Sequence, residues 1–477
     1  MKHLVLAALV LMCSVGVSAQ APVPDRTKPP VVGAAPALKL PAIQKRRLSN
    51  GLAVWIVEAH EVPVVQVNLV VSRGTADDPK GKFGIASMTA AMLTEGAGSR
   101  DSLALADAVD FLGADLTATS AIDSSAVRLH VPVARLAEAL PLMADVALRP
   151  TFPGGELDRL RQQRLTNLLQ ARDDAATLAA LAFSHVLYGR EHRFGTAAMG
   201  TAETIKAFTA DDLRAFYNSR FTVGTSTLIV VGDVTPERVL PLLETSFGSW
   251  KSAAPAAAPV NPVPGPRLRR EVFLVDKPGA PQSQIRIGRI GVARSTPDYF
   301  PIQVMNTVLG GSFSSRLNMN LREEHGYSYG ATSLFDMRQQ EGPIYAAAGV
   351  QTDKTSESLT EFFKELTNIG QPVPADELTR SKSYVSLRFP SGFESTADIS
   401  RRLEEVLVYK LPDDYFSRYV GEIERITAAD VQRVARTYID PTKLAVIVVG
   451  DRKVIEPGIR ALNLGPINIV TVDEIFQ

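Results

Sequence analysis

The chain of 477 residues is predicted to fold as α+β, in two homologous lobes that each pack a mostly antiparallel sheet with helices. Three observations carry this. The run Leu228-Ile229-Val230-Val231-Gly232-Asp233 returns in the second half as Val446-Ile447-Val448-Val449-Gly450-Asp451. A short apolar run, rich in β-branched residues and stopped by Gly-Asp, reads as a buried strand ending in a turn, and its recurrence marks an internal repeat. Second, strand-like segments interleave with helix-like ones and include hairpin-like pairs, which favours a layered α+β fold over a doubly wound sheet. Third, a stretch holding Pro255, Pro259, Pro262, Pro264 and Pro266 divides the chain near its middle. Proline blocks both helix and sheet ladders, so this stretch reads as a semi-rigid connector.

Taken in order, residues 1–19 read as a cleaved export signal. Lys2 and His3 precede an apolar run from Leu4 to Val17, and Val17-Ser18-Ala19 supplies small residues before Gln20. The run is shorter than the ~20 residues a spanning helix needs, so no stable membrane insertion is expected. The expected localisation is periplasmic or extracellular. The single cysteine, Cys13, follows Met12, where lipid attachment would want a small residue. Residues 20–43 form a Pro/Ala-rich leader, and 44–252 the first lobe. Within that lobe Val64 to Ser72 and Val127 to Val131 alternate like strands, while Leu103 to Leu112 and Arg135 to Leu148 carry helical spacing. The connector spans 253–267 and the second lobe 268–477, where Gln284 to Gly291 repeats the strand alternation. Helix-like stretches ending near Tyr217 and Tyr438 precede the two Gly-Asp strands.

With 45% hydrophobic and 21% charged residues and no net charge, the chain has material for packed cores and no basic patch for nucleic acid. No Gly-x-Gly-x-x-Gly follows a strand, and no Gly-x-Ser-x-Gly elbow occurs. His185 and His192 are seven apart, but Tyr188-Gly189-Arg190 interrupts their helix. These histidines are expected to be hydrogen-bonded or solvated; His60 and His130, on or near strand-like stretches, have the same reading.

Several stretches in register resemble the inverzincins of the pitrilysin/insulinase type, in particular the half-size class that includes mitochondrial processing peptidase. They are Arg47-Leu48-Ser49-Asn50-Gly51-Leu52, Gly84-Ile85-Ala86 through Met92-Leu93, Gly113-Ala114-Asp115-Leu116, Leu309 to Leu317 and Leu321 to Tyr329. The similarity spans about Arg46 to Leu462, and the segment around Tyr188-Gly189-Arg190 resembles a surface turn of the family. That family's zinc helix carries His-x-x-Glu-His, two imidazoles one turn apart with a glutamate base between them. The matching positions here are Ser87, Met88, Thr89, Ala90 and Ala91. A third ligand, a glutamate on a later helix, aligns with Leu165-Thr166-Asn167-Leu168, and no carboxylate occurs from Arg159 to Arg172. The resemblance therefore implies a chain with no metal and no catalytic residue of its own, Ser87, Ala90 and Ala91 being the degenerate positions.

It also implies what is kept. Arg322 and Tyr329 match a family pair, seven residues apart, that binds peptide and steadies the oxyanion. Gly326 should end the helix between them, and Tyr327 is a second candidate. Gly310 and Gly311 either form a turn entering a helix or let peptide approach the backbone. The expected partner is a homologous chain bearing His-x-x-Glu-His and zinc, and the expected ligand a peptide. The alternative is a non-catalytic scaffold or peptide-binding protein of the same fold.

Overall fold

The computed structural model describes residues 42–259 and 261–476. The expected export signal and residues 20–41 of the expected leader lie outside the described residues. Among the described residues no helix is long and apolar enough to cross a membrane.

The first half supplies β1 (Gln44–Arg47), β2 (Ala53–Glu58), β3 (Val64–Val71), the two-residue pair β4 (Gly96–Ala97) and β5 (Arg100–Asp101), β6 (Asp115–Ser120), β7 (Ser125–Pro132) and β8 (Ser226–Gly232). Apart from the β4–β5 pair these form one six-stranded sheet, ordered β1-β2-β8-β3-β7-β6. The second half supplies β9 (Glu271–Asp276), β10 (Gln282–Ile290), β11 (Ser328–Phe335), β12 (Pro343–Gln351), β13 (Ala445–Gly450) and β14 (Ile467–Val470), ordered β11-β12-β10-β13-β9-β14.

The repeat is visible strand by strand. β8 lies between parallel β2 and antiparallel β3; β13 lies between parallel β9 and antiparallel β10. The β6–β7 hairpin beside β3 corresponds to β11–β12 beside β10. Only the outermost strands differ, β1 pairing antiparallel to β2 and β14 parallel to β9. The helices before the Gly-Asp strands also match. Ala210–Arg220 and Ala428–Tyr438 each open on a reciprocal capping box, Thr209 with Asp212 and Thr427 with Asp430. The offset is 218 residues in both cases, from Thr209 to Thr427 and from Leu228 to Val446.

Every residue of β8 and β13 is buried. Leu228 and Val230 face the core of their own lobe, as do Val446 and Val448. The opposite faces are covered by helices from the other lobe. Leu403 and Val408 of the Thr396–Val408 helix pack on Ile229 and Val231. Leu178, Ala182 and Phe183 of the Ala175–Tyr188 helix pack on Ile447 and Val449. Burial on both faces explains why these strands are continuous apolar runs rather than alternating ones. Each large side chain buried in the exchange contributes about 1.5–3 kcal/mol.

Among the described residues the Pro/Ala-rich stretch between the halves has no helix or strand from 251 to 267. It is pinned to the first lobe: the Ala256 and Ala257 carbonyls accept from Arg220 Nη1 at 3.0 and 2.9 Å, and Asn261 Nδ2 donates to the Ala76 carbonyl.

Candidate functional site

Ser87, Ala90 and Ala91 lie on the Ile85–Met92 helix. Its start is held by the buried Asp78 carboxylate, which accepts from the Gly84 and Ala86 amides at 2.6 and 2.9 Å and from Arg193 Nε at 2.7 Å. Burial pushes the Asp78 carboxyl up, opposed by the Arg193 charge and the two amides. Ile85, Met88 and Met92 enter the core, which keeps the helix in place without ligands on its other face. Ser87 and Ala91, four residues apart, share that face.

The Gly154–Asp173 helix runs past it and meets Ser87 through one side chain. Arg164 Nη1 donates to Ser87 Oγ and Nη2 to the Ser87 carbonyl, both at 2.8 Å. Burial lowers the Arg164 guanidinium to about 10, opposed by the Asp78 charge, so it remains cationic at neutral pH. The apolar stripe of this helix is Leu157, Leu160 and Leu168. Arg164 fills the slot between Leu160 and Leu168 on that stripe. A charged residue at an apolar position was the sequence signal for it, and a search of the segment for carboxylates passes over it.

These residues do not fit a zinc ion. The three degenerate positions offer one hydroxyl and two methyl groups, the hydroxyl is engaged by a guanidinium, and that guanidinium repels a cation. Among the described residues no group of three or more His, Cys, Asp or Glu is placed to hold a metal.

In the second lobe Arg322 lies in the helical residues 316–324. Gly326, at φ +65°, ends the segment in the left-handed conformation that glycine adopts most readily, and its amide donates to the Arg322 carbonyl. Arg322 is exposed; its guanidinium covers the exposed Phe313 ring at 4.8 Å, and its Nε lies 3.2 Å from Glu323. Tyr329 is 89% exposed, on β11, where pairing to β12 shifts register between Ser328 and Ala331. Asn318 ties the two segments, donating to the Phe313 carbonyl at 2.7 Å and accepting from the Ala331 amide at 3.2 Å. Tyr327 is half-buried and stacks on His325 at 5.0 Å. Gly310 is buried against β11: a Cβ there would lie 2.3 Å from the Ser333 amide nitrogen. At Gly311 a Cβ would meet Asn306 Nδ2 at 2.8 Å. The glycines end the helical segment Thr307–Gly311, and Gly310 lets it close on the strand carrying Tyr329.

His192 departs from the expected surface turn. Gly189 ends the Ala175–Tyr188 helix, and His192 folds back into the protein, stacked on Tyr188 at 5.1 Å. It is buried, and its Nδ1 accepts from the Phe194 amide at 3.0 Å. His60 is exposed between Asp233 and Glu58.

A family model described as Insulinase (Peptidase family M16) matches residues 53–193, and one described as Peptidase M16 inactive domain matches residues 207–385. An uncharacterized zinc protease of Streptomyces coelicolor is 25% identical over 408 residues, covering 83% of this chain and 86% of that protein. Another, of Mycobacterium tuberculosis, is 26% identical over 417 residues, covering 84% and 92%. Among solved structures, a peptidase M16 inactive domain from Pseudomonas fluorescens is similar with a TM-score of 0.79 and 26% identity, over 86% of this chain and 98% of that one. The periplasmic protease PqqL of Escherichia coli, at 18% identity and a TM-score of 0.72, shares the fold over 89% of this chain and 49% of its own.

Proposed function

This chain belongs to the insulinase (peptidase M16) family, and from that membership we propose that it is the metal-free half of a two-chain zinc peptidase. The observation that carries the reading is a contrast between the lobes. Where the family places metal ligands, Ser87 is bonded by Arg164. Where the family places its peptide-binding pair, Arg322 and Tyr329 stand exposed. The half-length match to PqqL supports the same reading: a fold unit of this size is half of a longer protease there.

The partner, a homologous chain with His-x-x-Glu-His, supplies the metal and the activated water. This chain supplies donors. The Arg322 guanidinium holds a substrate backbone carbonyl, and the Tyr329 hydroxyl donates to the oxyanion, an effect worth ~2–4 kcal/mol when well placed. We place the pair outside the cytoplasm, following the basic start and short apolar run of residues 1–19.

The test is reconstitution. Peptide cleavage requires both purified chains and falls steeply with Arg322→Ala or Tyr329→Phe. Full cleavage by this chain alone overturns the reading. Cleavage by the mixture that neither substitution affects favours the scaffold.

A further inference from the structure

We infer that the degenerate metal position is a carboxylate-binding subsite, in which Arg164, steadied by Ser87, takes a carboxylate of the bound peptide. The inference rests on the peptide-binding role proposed above and adds the chemistry of one recognised group.

The surroundings of Arg164 set it apart. On the same helix Arg159 pairs with Glu95 and Glu156, Arg161 with Asp158, and Arg172 with Asp473. Among the described residues no carboxylate lies within ion-pair distance of Arg164. The nearest acidic influence is Asp78, whose oxygens are taken by Arg193 and two backbone amides. A half-buried cation with no counter-ion keeps an electrostatic demand that water satisfies incompletely.

The geometry says which ligand meets that demand. A guanidinium has five N–H donors in one plane, and Ser87 takes one from each Nη. Three remain, and Nε with one Nη presents a two-donor edge that matches a carboxylate. The two bonds to Ser87 fix the plane of that edge before the ligand arrives, which reduces the ordering cost of binding. On the facing helix Ala91, one turn beyond Ser87, ends in a methyl group and brings no polar atom to compete for those donors. Two sources share this chemistry: the peptide's C-terminal carboxylate and an Asp or Glu side chain.

The experiment measures anisotropy of labelled ten-residue peptides with the purified chain, in two pairs. One pair differs as free C-terminus against C-terminal amide, the other as internal Asp against Asn. In at least one pair the carboxylate member binds about tenfold more tightly, the scale of a charge-assisted hydrogen bond. The pair showing the difference identifies the source. Arg164→Gln removes the difference and leaves the amide member within about twofold, the amide having no charge to lose. Arg164→Lys, which keeps the charge without the fork, retains part of the difference and carries the test if Arg164→Gln fails to fold. Equal affinities in both pairs, no binding of any peptide, or equal weakening of acid and amide by Arg164→Gln would overturn the inference; the last is what a purely structural tie predicts. Arg322→Ala, which removes a donor to a backbone carbonyl, weakens acid and amide members alike in the same assay, so failure of this subsite is distinguishable from failure of the peptide-binding reading.

Discussion

Glu404, on the Thr396–Val408 helix of the second half, receives both Nε and Nη2 of Arg128 on β7 of the first, at 3.1 and 2.7 Å. Asn68 Nδ2 adds a third donor at 2.7 Å, and Gln66 Nε2 in turn donates to Asn68 Oδ1. The network lies beside the apolar contact of Leu403 and Val408 with β8, so a polar clamp and an apolar seam join the lobes together.

Glu404→Ala leaves Arg128 and Asn68 without their acceptor in a largely dehydrated seam. The expected loss is about 2–4 kcal/mol in urea unfolding, and Arg128→Met/Glu404→Leu should recover part of it, because the guanidinium is no longer left alone although the Asn68 amide still lacks its acceptor. A loss confined to tenths of a kcal/mol would mean that water replaces the carboxylate there.

Arg164 also governs whether a metal can be restored. Ser87→His with Ala91→His supplies two imidazoles one turn apart, but the guanidinium opposes a divalent ion. Adding Arg164→Glu replaces that charge with a third donor. Zinc retained through gel filtration, measured by elemental analysis, should be well below one per chain in the double variant and approach one in the triple.

Tyr329→Phe separates function from folding. The phenol is 89% exposed, so stability should change by less than about 0.5 kcal/mol. Cleavage by the reconstituted pair should fall about 30-fold or more, the cost of one oxyanion donor. The two numbers come from one variant, by thermal unfolding and by peptide hydrolysis.

Asp123, in the β6–β7 turn, makes the lobe contact sensitive to pH. It accepts from the Gln339 amide at 3.0 Å and the Tyr409 hydroxyl at 3.3 Å. Burial raises its carboxyl, opposed by those two donors and by Arg338. A raised carboxyl holds its proton more tightly in the folded chain than in the unfolded one. Its contribution is therefore fully present below the unfolded value, about pH 4, and is lost as pH rises through the folded value. Asp123→Asn should gain stability relative to the parent as pH rises from about 4 to 7. A difference independent of pH would remove this assignment.

The repeat and the central strands were legible because burial on both faces writes a continuous apolar run, and Val446 to Val449 repeats Leu228 to Val231. The end of the Arg322 segment was legible because Gly326 offers the left-handed turn cheaply. The exchange of helices was not. Leu178 and Phe183 would look the same packed on β8 as on β13, since an apolar stripe states that it is covered and not by what. Arg164 was hidden for another reason: three neighbouring arginines on its helix pair with acids, and only the fold shows that the fourth faces Ser87.

The crossed helices bear on how the two halves can diverge. Phe183 is encoded in one half and Ile447 in the other, yet they fill a common volume. A change of size at either is judged by residues on the far side of the duplication. The copies have separated in chemistry, one keeping Arg322 and Tyr329 and the other carrying Arg164, while their shapes stay coupled. Grafting one half from a relative would therefore require moving the helix that covers its partner along with the sheet it covers.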